Sequence, residues 1–416
     1  MKRRLFGWIA ILIGLVLSLG AVELMAIVWM TLDDGRYSPA AELFQRTQNT
    51  FVRDLTKGSN CRYVDTLFPD PYLGFVHHAN PPCGLKNVNN VGLLNDHYPI
   101  EKRDDRYAIL LTGGSVAAQL AQMSVAPAPR FLEEELNANY VSPNGKPFLV
   151  MSGGAGAWKQ PQPFILFALH AQAVDAVINL GGLNEFYMVR HYVTERLERP
   201  ASNFLDVNPL VSDENFGDAA IGWVMGRIAG AMSLNPVLGN SHAAYMIVRG
   251  IEALAKGRGA LKSTKRTTMD SIFALPAEVK GDGKKIFALQ VGLYQKYQRA
   301  MEVVARDHGL KSAFFYGPVP GWGKTLTDAE KAAAGAFNLG EAPEYRRMVE
   351  AMMTQRSTGM AVFDLGDLFV DVKEPIYADE AHFIRLLGED SPGYRMMAKR
   401  MAANLAEAWK LERRGK

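Results

Sequence analysis

The chain is poor in cysteine: two in 416 residues, Cys61 and Cys83, too few for a disulfide-dense scaffold or a cysteine-only zinc site. Excess charge is also missing. Forty-six Lys and Arg stand against 43 Asp and Glu, a formal net charge of +3, which lacks the basic stripe that a nucleic-acid partner demands. No solenoid-period repeat is visible, and no nucleotide-binding glycine fingerprint follows any strand-like run, so no cofactor is expected. Charged residues make up 21% and apolar residues 48%, which excludes disordered, collagenous and coiled-coil chains. What remains is a globular protein with room for two to three domains at about 150 residues each.

One long apolar run stands at the front. Leu5 to Leu32 is interrupted only by Glu23, with Lys2, Arg3 and Arg4 before it and Asp33 and Asp34 after. About 20 such residues cross a hydrocarbon core of about 30 Å, and the cationic flank stays on the cytoplasmic side. Residues 1–4 therefore read as a cytoplasmic tail, 5–32 as a retained transmembrane anchor, and the rest as extracytoplasmic, hence periplasmic. A cleaved signal peptide is the competing reading; the apolar sequence continuing past Ser18–Ala21 argues against it. Glu23 is expected near the outer interface, reaching water. In an oxidising compartment Cys61 and Cys83 read as a disulfide closing a loop of about 22 residues, worth about 3 kcal/mol.

Residues 33–105 are rich in turn-forming sequence and read as an irregular extension. From Tyr107 onward, continuously apolar runs recur at 107–112, 147–151, 175–180, 312–316 and 360–365, with helical patterns between them. Runs without alternation suit strands buried on both faces, so a three-layer α/β/α domain with a five-stranded parallel sheet is expected over 106–412. The long interval between the third and fourth runs reads as a helical cap inserted at about 202–282. Its basic stretch, with Arg249, Lys256, Arg258, Lys262, Lys265 and Arg266, reads as a solvated face.

In an open α/β sheet, ligands sit beyond the carboxyl ends of the strands. There this sequence places "TGGS" with Ser115, "SGGAGAW" with Gly153, "GGLNEF" with Asn184, and, before the last helix, "YADEAHF" with Asp379 and His382. Each motif alone is weak. Together they supply a nucleophile, a base, an orienting carboxylate and oxyanion donors. "GPVPGWGKT" fails as a phosphate loop because Pro318 stands where the first glycine belongs, and "GNSHA" around Ser241 is no nucleophile elbow. His77 and His78 are adjacent and without a third ligand, so no metal is expected.

On these residues the chain resembles the SGNH (GDSL-type) hydrolases: Ser115, Gly153, Asn184 and His382 match the four namesake positions, and Asp379 the family's Asp-x-x-His acid. The likeness spans roughly 106–412 outside the insertion. Two positions depart from the family habit of Asp, namely Gly114 before the serine and Glu185 after the asparagine. The resemblance implies a sheet of flavodoxin-like order and acyl transfer by a Ser115–His382–Asp379 triad. Ser115, Gly153 and Asn184 would then form the oxyanion hole. The implied activity is an ester hydrolase removing O-acyl groups, acetyl in particular, from envelope or secreted glycans. An O-acyltransferase, a lipid-ester substrate, or an inactive scaffold with polysaccharide-assembly partners are the alternatives.

Overall fold

The computed structural model describes residues 2–41, 43, 66–79, 88–94, 101–121, 130–191, 195–199, 231–232, 235–257, 273–334, 340–385 and 390–415. Cys61 and Cys83, and with them the expected disulfide, lie outside these residues.

The apolar run forms one helix, α1 (Lys2–Asp34), of which Phe6–Asp33 is long and apolar enough to cross a membrane. Residues expected to be irregular instead contain a hairpin, β1 (Leu67–Asp70) and β2 (Gly74–His77). Its turn is chemically specified, because an Asp70 carboxylate oxygen accepts from the N–H groups of Tyr72 (2.9 Å) and Leu73 (2.7 Å). The sequence looked irregular because each strand is only four residues long and Pro69 interrupts the first. The hairpin is tied to the main body: Phe75 is fully buried, and the Trp158 indole donates to its carbonyl at 3.2 Å.

The main body then runs β3 (Tyr107–Gly113), α2 (Ser115–Ala121), α3 (Phe131–Asn139), β4 (Tyr140–Val141), β5 (Phe148–Gly154), α4 (Gln162–His170), β6 (Ala176–Gly181) and α5 (Leu183–His191). After the long excursion, which carries α6 (His242–Gly257), come α7 (Gly283–Asp307), β7 (Lys311–Tyr316), α8 (Asp328–Ala334), α9 (Ala342–Thr354), β8 (Val362–Asp364), α10 (Pro392–Trp409) and β9 (Glu412–Arg413). The five apolar runs are the five strands of one parallel sheet, in spatial order β5-β3-β6-β7-β8. Side chains alternate between two cores. Ala108, Leu110, Leu149, Met151 and Val177 face one, while Ile109, Leu111, Phe148, Val150 and Ile178 face the other. A sheet covered on both faces has no water-facing side, which is why its strands read as unbroken apolar runs.

The excursion leaves and returns at one place. Glu195 bridges Ala274, and the Arg196 N–H donates to the Phe273 carbonyl at 2.7 Å. Its exit is clamped by Gln290 of α7, which accepts from the Leu197 N–H and donates to the Glu195 carbonyl, both at 2.7 Å. Helix α6 packs along the C-terminal half of α1, with Met30, Leu43, Tyr245 and Val248 forming a small core of their own.

Candidate active site

Strand β3 ends at Gly113, whose φ is +151° and where a Cβ would lie 2.1 Å from the Leu180 carbonyl. Only glycine fits, and this tight passage delivers Ser115 to the first position of α2 at the carboxyl edge of the sheet. The other half of the pair arrives on a short hairpin-like loop. Tyr377 bridges Phe383, the Ala378 N–H donates to the His382 carbonyl at 2.8 Å, and Phe383 is buried against Phe369, Tyr377 and Tyr394. An Asp379 carboxylate oxygen accepts from the Ala381 (2.8 Å) and His382 (2.7 Å) N–H groups, closing the turn.

Ser115, His382 and Asp379 form a continuous chain of hydrogen bonds. His382 Nδ1 lies 2.9 and 3.0 Å from the two Asp379 oxygens, and Nε2 lies 2.7 Å from Ser115 Oγ. With Nδ1–H donated to the carboxylate, Nε2 is left to accept the serine proton. His382 and Asp379 are 2% and 7% exposed. Burial works to raise the Asp379 carboxyl, but the His382 charge, its hydrogen bond and the two backbone donors outweigh it and hold the group well below the usual carboxylate range.

Asn184, in the first turn of α5, lines the same half-open pocket of about 530 Å³, which is partly continuous with solvent. Its amide donates one N–H to the Trp158 carbonyl at 2.7 Å, which leaves the second for a ligand. Gly114 belongs to this contact, because a Cβ there would lie 2.4 Å from Asn184 Nδ2 and 3.2 Å from the Trp158 oxygen. The aspartate usual in the resembled family would collide with the asparagine as it is placed here. Gly153 is not brought to the pocket. It sits within β5 opposite Thr112, where a Cβ would point at Leu166 and Leu110, and Trp158 is the residue of the following loop that lines the pocket.

Glu185 joins the loop bearing Trp158 to the loop bearing Asn184. Its two carboxylate oxygens accept from the N–H groups of Gln160 (2.9 Å) and Gly182 (2.8 Å). Burial pushes its carboxyl up, and these donors with the charge of Lys159 offset only part of that. Lys159 is buried as well, and burial brings it down to about 7; its ammonium donates to the carbonyls of Leu197 (2.5 Å) and Arg199 (2.6 Å). A further bracing pair was not singled out as part of the site. Glu330, fully buried, accepts from the N–H groups of Ile376 (2.9 Å) and Tyr377 (3.2 Å) beneath the His382 loop, and Lys324 pairs with it at 3.2 Å. That pairing occupies the lysine of the rejected phosphate-loop motif, whereas Gly317 and Pro318 of the same motif line the pocket.

Among the described residues no cluster of three or more His, Cys, Asp or Glu could hold a metal ion. Arg249 of the basic stretch pairs with Asp33 at 3.1 Å. Glu23 contacts Ser241 and His242 while 32% of its side chain stays exposed. The chain matches no protein-family model and none of the curated proteins with which it was compared.

Proposed function

We propose that the protein is a serine ester hydrolase of SGNH type, held at the outer face of a membrane by α1, that removes short O-acyl groups, acetyl in particular, from envelope or secreted glycans. The carrying observation is the chain Ser115 Oγ–His382 Nε2 (2.7 Å) and His382 Nδ1–Asp379 (2.9 Å) at the carboxyl edge of a parallel sheet. Counted in sequence along the sheet, the strand order is 2-1-3-4-5, which supports the flavodoxin-like reading. The pocket opens between β3 and β6, where that order reverses direction. In the mechanism, Ser115 Oγ attacks the acyl carbonyl as His382 Nε2 takes its proton. The second Asn184 N–H and the Ser115 backbone N–H receive the developing oxyanion, and His382 returns the proton to the departing sugar oxygen. Water then repeats the sequence on the acyl-enzyme. Small and apolar lining residues, among them Gly113, Val116, Pro318 and Ala381, support a short acyl group.

The glycan part of the reading rests on location. The charges flanking α1 support an extracytoplasmic main body. The contacts of Glu23 and Asp33 with 241–249 support a retained helix, since cleavage would strip them away. The paired exit and return at Glu195 and Ala274 support reading the excursion as an insertion into the catalytic domain.

Full-length protein in detergent, treated with a fluorophosphonate and weighed intact, should gain one adduct, and its Ser115→Ala variant none. Absence of the adduct from both proteins would overturn the activated serine. Acetate release from acetylated polysaccharide then tests the substrate class.

A further inference from the structure

The segment preceding and opening α6 combines two properties that seldom coincide: exposed apolar side chains and a backbone with no N–H left for water. Val237 is 75% exposed, Leu238 38% and Ile247 53%. Yet each backbone N–H from Asn235 to Tyr245 has an acceptor within the protein, Pro236 having none to satisfy. Asn235 Oδ1 accepts from Val237 (2.9 Å) and Leu238 (3.1 Å), and backbone carbonyls accept from Asn235, Gly239, Asn240 and Ser241. The first turn of a helix normally leaves four such donors open. Here the Glu23 carboxylate accepts from the N–H groups of His242 (2.7 Å) and Ala243 (3.2 Å), Ser241 Oγ accepts from that of Ala244 (3.1 Å), and the Ser241 carbonyl accepts from that of Tyr245 (3.1 Å). Internal acceptors for every N–H of a turn and a helix start are what hydrocarbon requires and water does not.

The depth of the segment follows from its neighbour. Trp8 and Trp29 of α1, both exposed, are separated by about 31 Å at 1.5 Å per residue, matching a hydrocarbon core of about 30 Å with an aromatic ring at each interface. Glu23 then lies about 9 Å below the outer interface. Contacts run from Glu23–Ser241 to Asp33–Arg249, so α6 rises outward beside α1 and its start is its deepest point. Only one face of α1 is covered at this level, through Ala26 and Met30, while Leu24, Met25, Val28 and Leu32 remain 51–77% exposed.

We infer that residues 235–249 form a wedge embedded in the outer leaflet beside α1, with Pro236–Leu238 at its tip among lipid acyl chains and Glu23 capping the buried helix start. The inference rests on α1 spanning the membrane, and the test separates the two. Full-length protein carrying the photoreactive residue p-benzoyl-phenylalanine at position 28, 237 or 350 is reconstituted in phosphatidylcholine–phosphatidylglycerol vesicles and irradiated. Adducts are mapped by mass spectrometry, each variant first eluting in detergent as the unsubstituted chain does. Position 28 reports the span, position 237 the wedge, and position 350, where Glu350 pairs with Arg346 on the exposed face of α9, the aqueous background. Lipid adducts at 237 comparable with those at 28, and at least about ten-fold above those at 350, are expected for an element inserted below the headgroups. Adducts at 28 with only background at 237 would overturn the wedge and leave the anchor standing. Background at 28 would remove the spanning helix and the wedge with it.

Discussion

A side chain at position 114 would enter the space that Asn184 fills, and the proposed catalysis depends on that space staying with the asparagine. A methyl group on residue 114 would sit 2.4 Å from the Asn184 amide nitrogen, so Gly114→Ala must displace the amide or distort the turn that delivers Ser115. Losing one oxyanion donor typically costs about 10²–10³ in turnover. Asn184→Ala should lower kcat on a short-chain chromogenic ester by that amount, and Gly114→Ala should approach the same loss. Full activity in Gly114→Ala beside a crippled Asn184→Ala would show that the amide acts from some other position. The glycine was visible in the sequence as a departure from a family habit. Its cause was not, because Asn184 lies seventy residues further along the chain.

At the scale of elements, buried charges brace the loops around the candidate site. Glu330, in the first turn of the short helix α8, holds the loop that presents Asp379 and His382, and its other oxygen faces Lys324. Glu330→Gln keeps an acceptor on one side only, and an ammonium left buried and unpaired typically destabilises by about 3–5 kcal/mol. Urea unfolding of the Ser115→Ala background with and without Glu330→Gln measures this free of turnover. Lys159 tethers the exit of the excursion and gives a pH signature. Its value falls to about 7 in the fold against an ordinary 10.5. Between these values the unfolded chain binds the proton and the folded chain does not, so this group makes stability rise with pH from about 7 upward. Lys159→Met should flatten that rise in thermal melts taken from pH 7 to 9.5; an unchanged slope would show that the lysine is not buried as described.

For the molecule as a whole, α1 serves as part of a packed unit in addition to its apolar length. Removing residues 1–34 would take away the acceptor for two N–H groups at the start of α6 and Met30, which packs with Tyr245 and Val248. The parallel sheet makes its own two cores with no residue of α1 in them. Truncated protein in detergent should therefore keep its fluorophosphonate reactivity while limited proteolysis opens the 242–257 region faster than in the full chain. Equal cleavage rates would mean that α6 holds without its partner.

The sequence by itself determined the parallel sheet, since strands buried on both faces must be apolar throughout, and it determined the long N-terminal helix, since unbroken apolar length leaves few other options. It also brought Ser115, Asn184, Asp379 and His382 into view, because glycine-rich strand ends and a short Asp-x-x-His spacing are local patterns. Tertiary structure alone decided the rest. The β1–β2 hairpin, hidden in turn-rich sequence, was revealed by Phe75 packing beneath Trp158. Gly153 was left inside β5, a matter of register that no local motif encodes. Glu185, Glu330 and Lys159 became braces, and Glu23 became the cap of a helix more than two hundred residues away. Local patterns specify backbone conformation and burial, whereas a buried charge finds its partners only where the chain closes on itself.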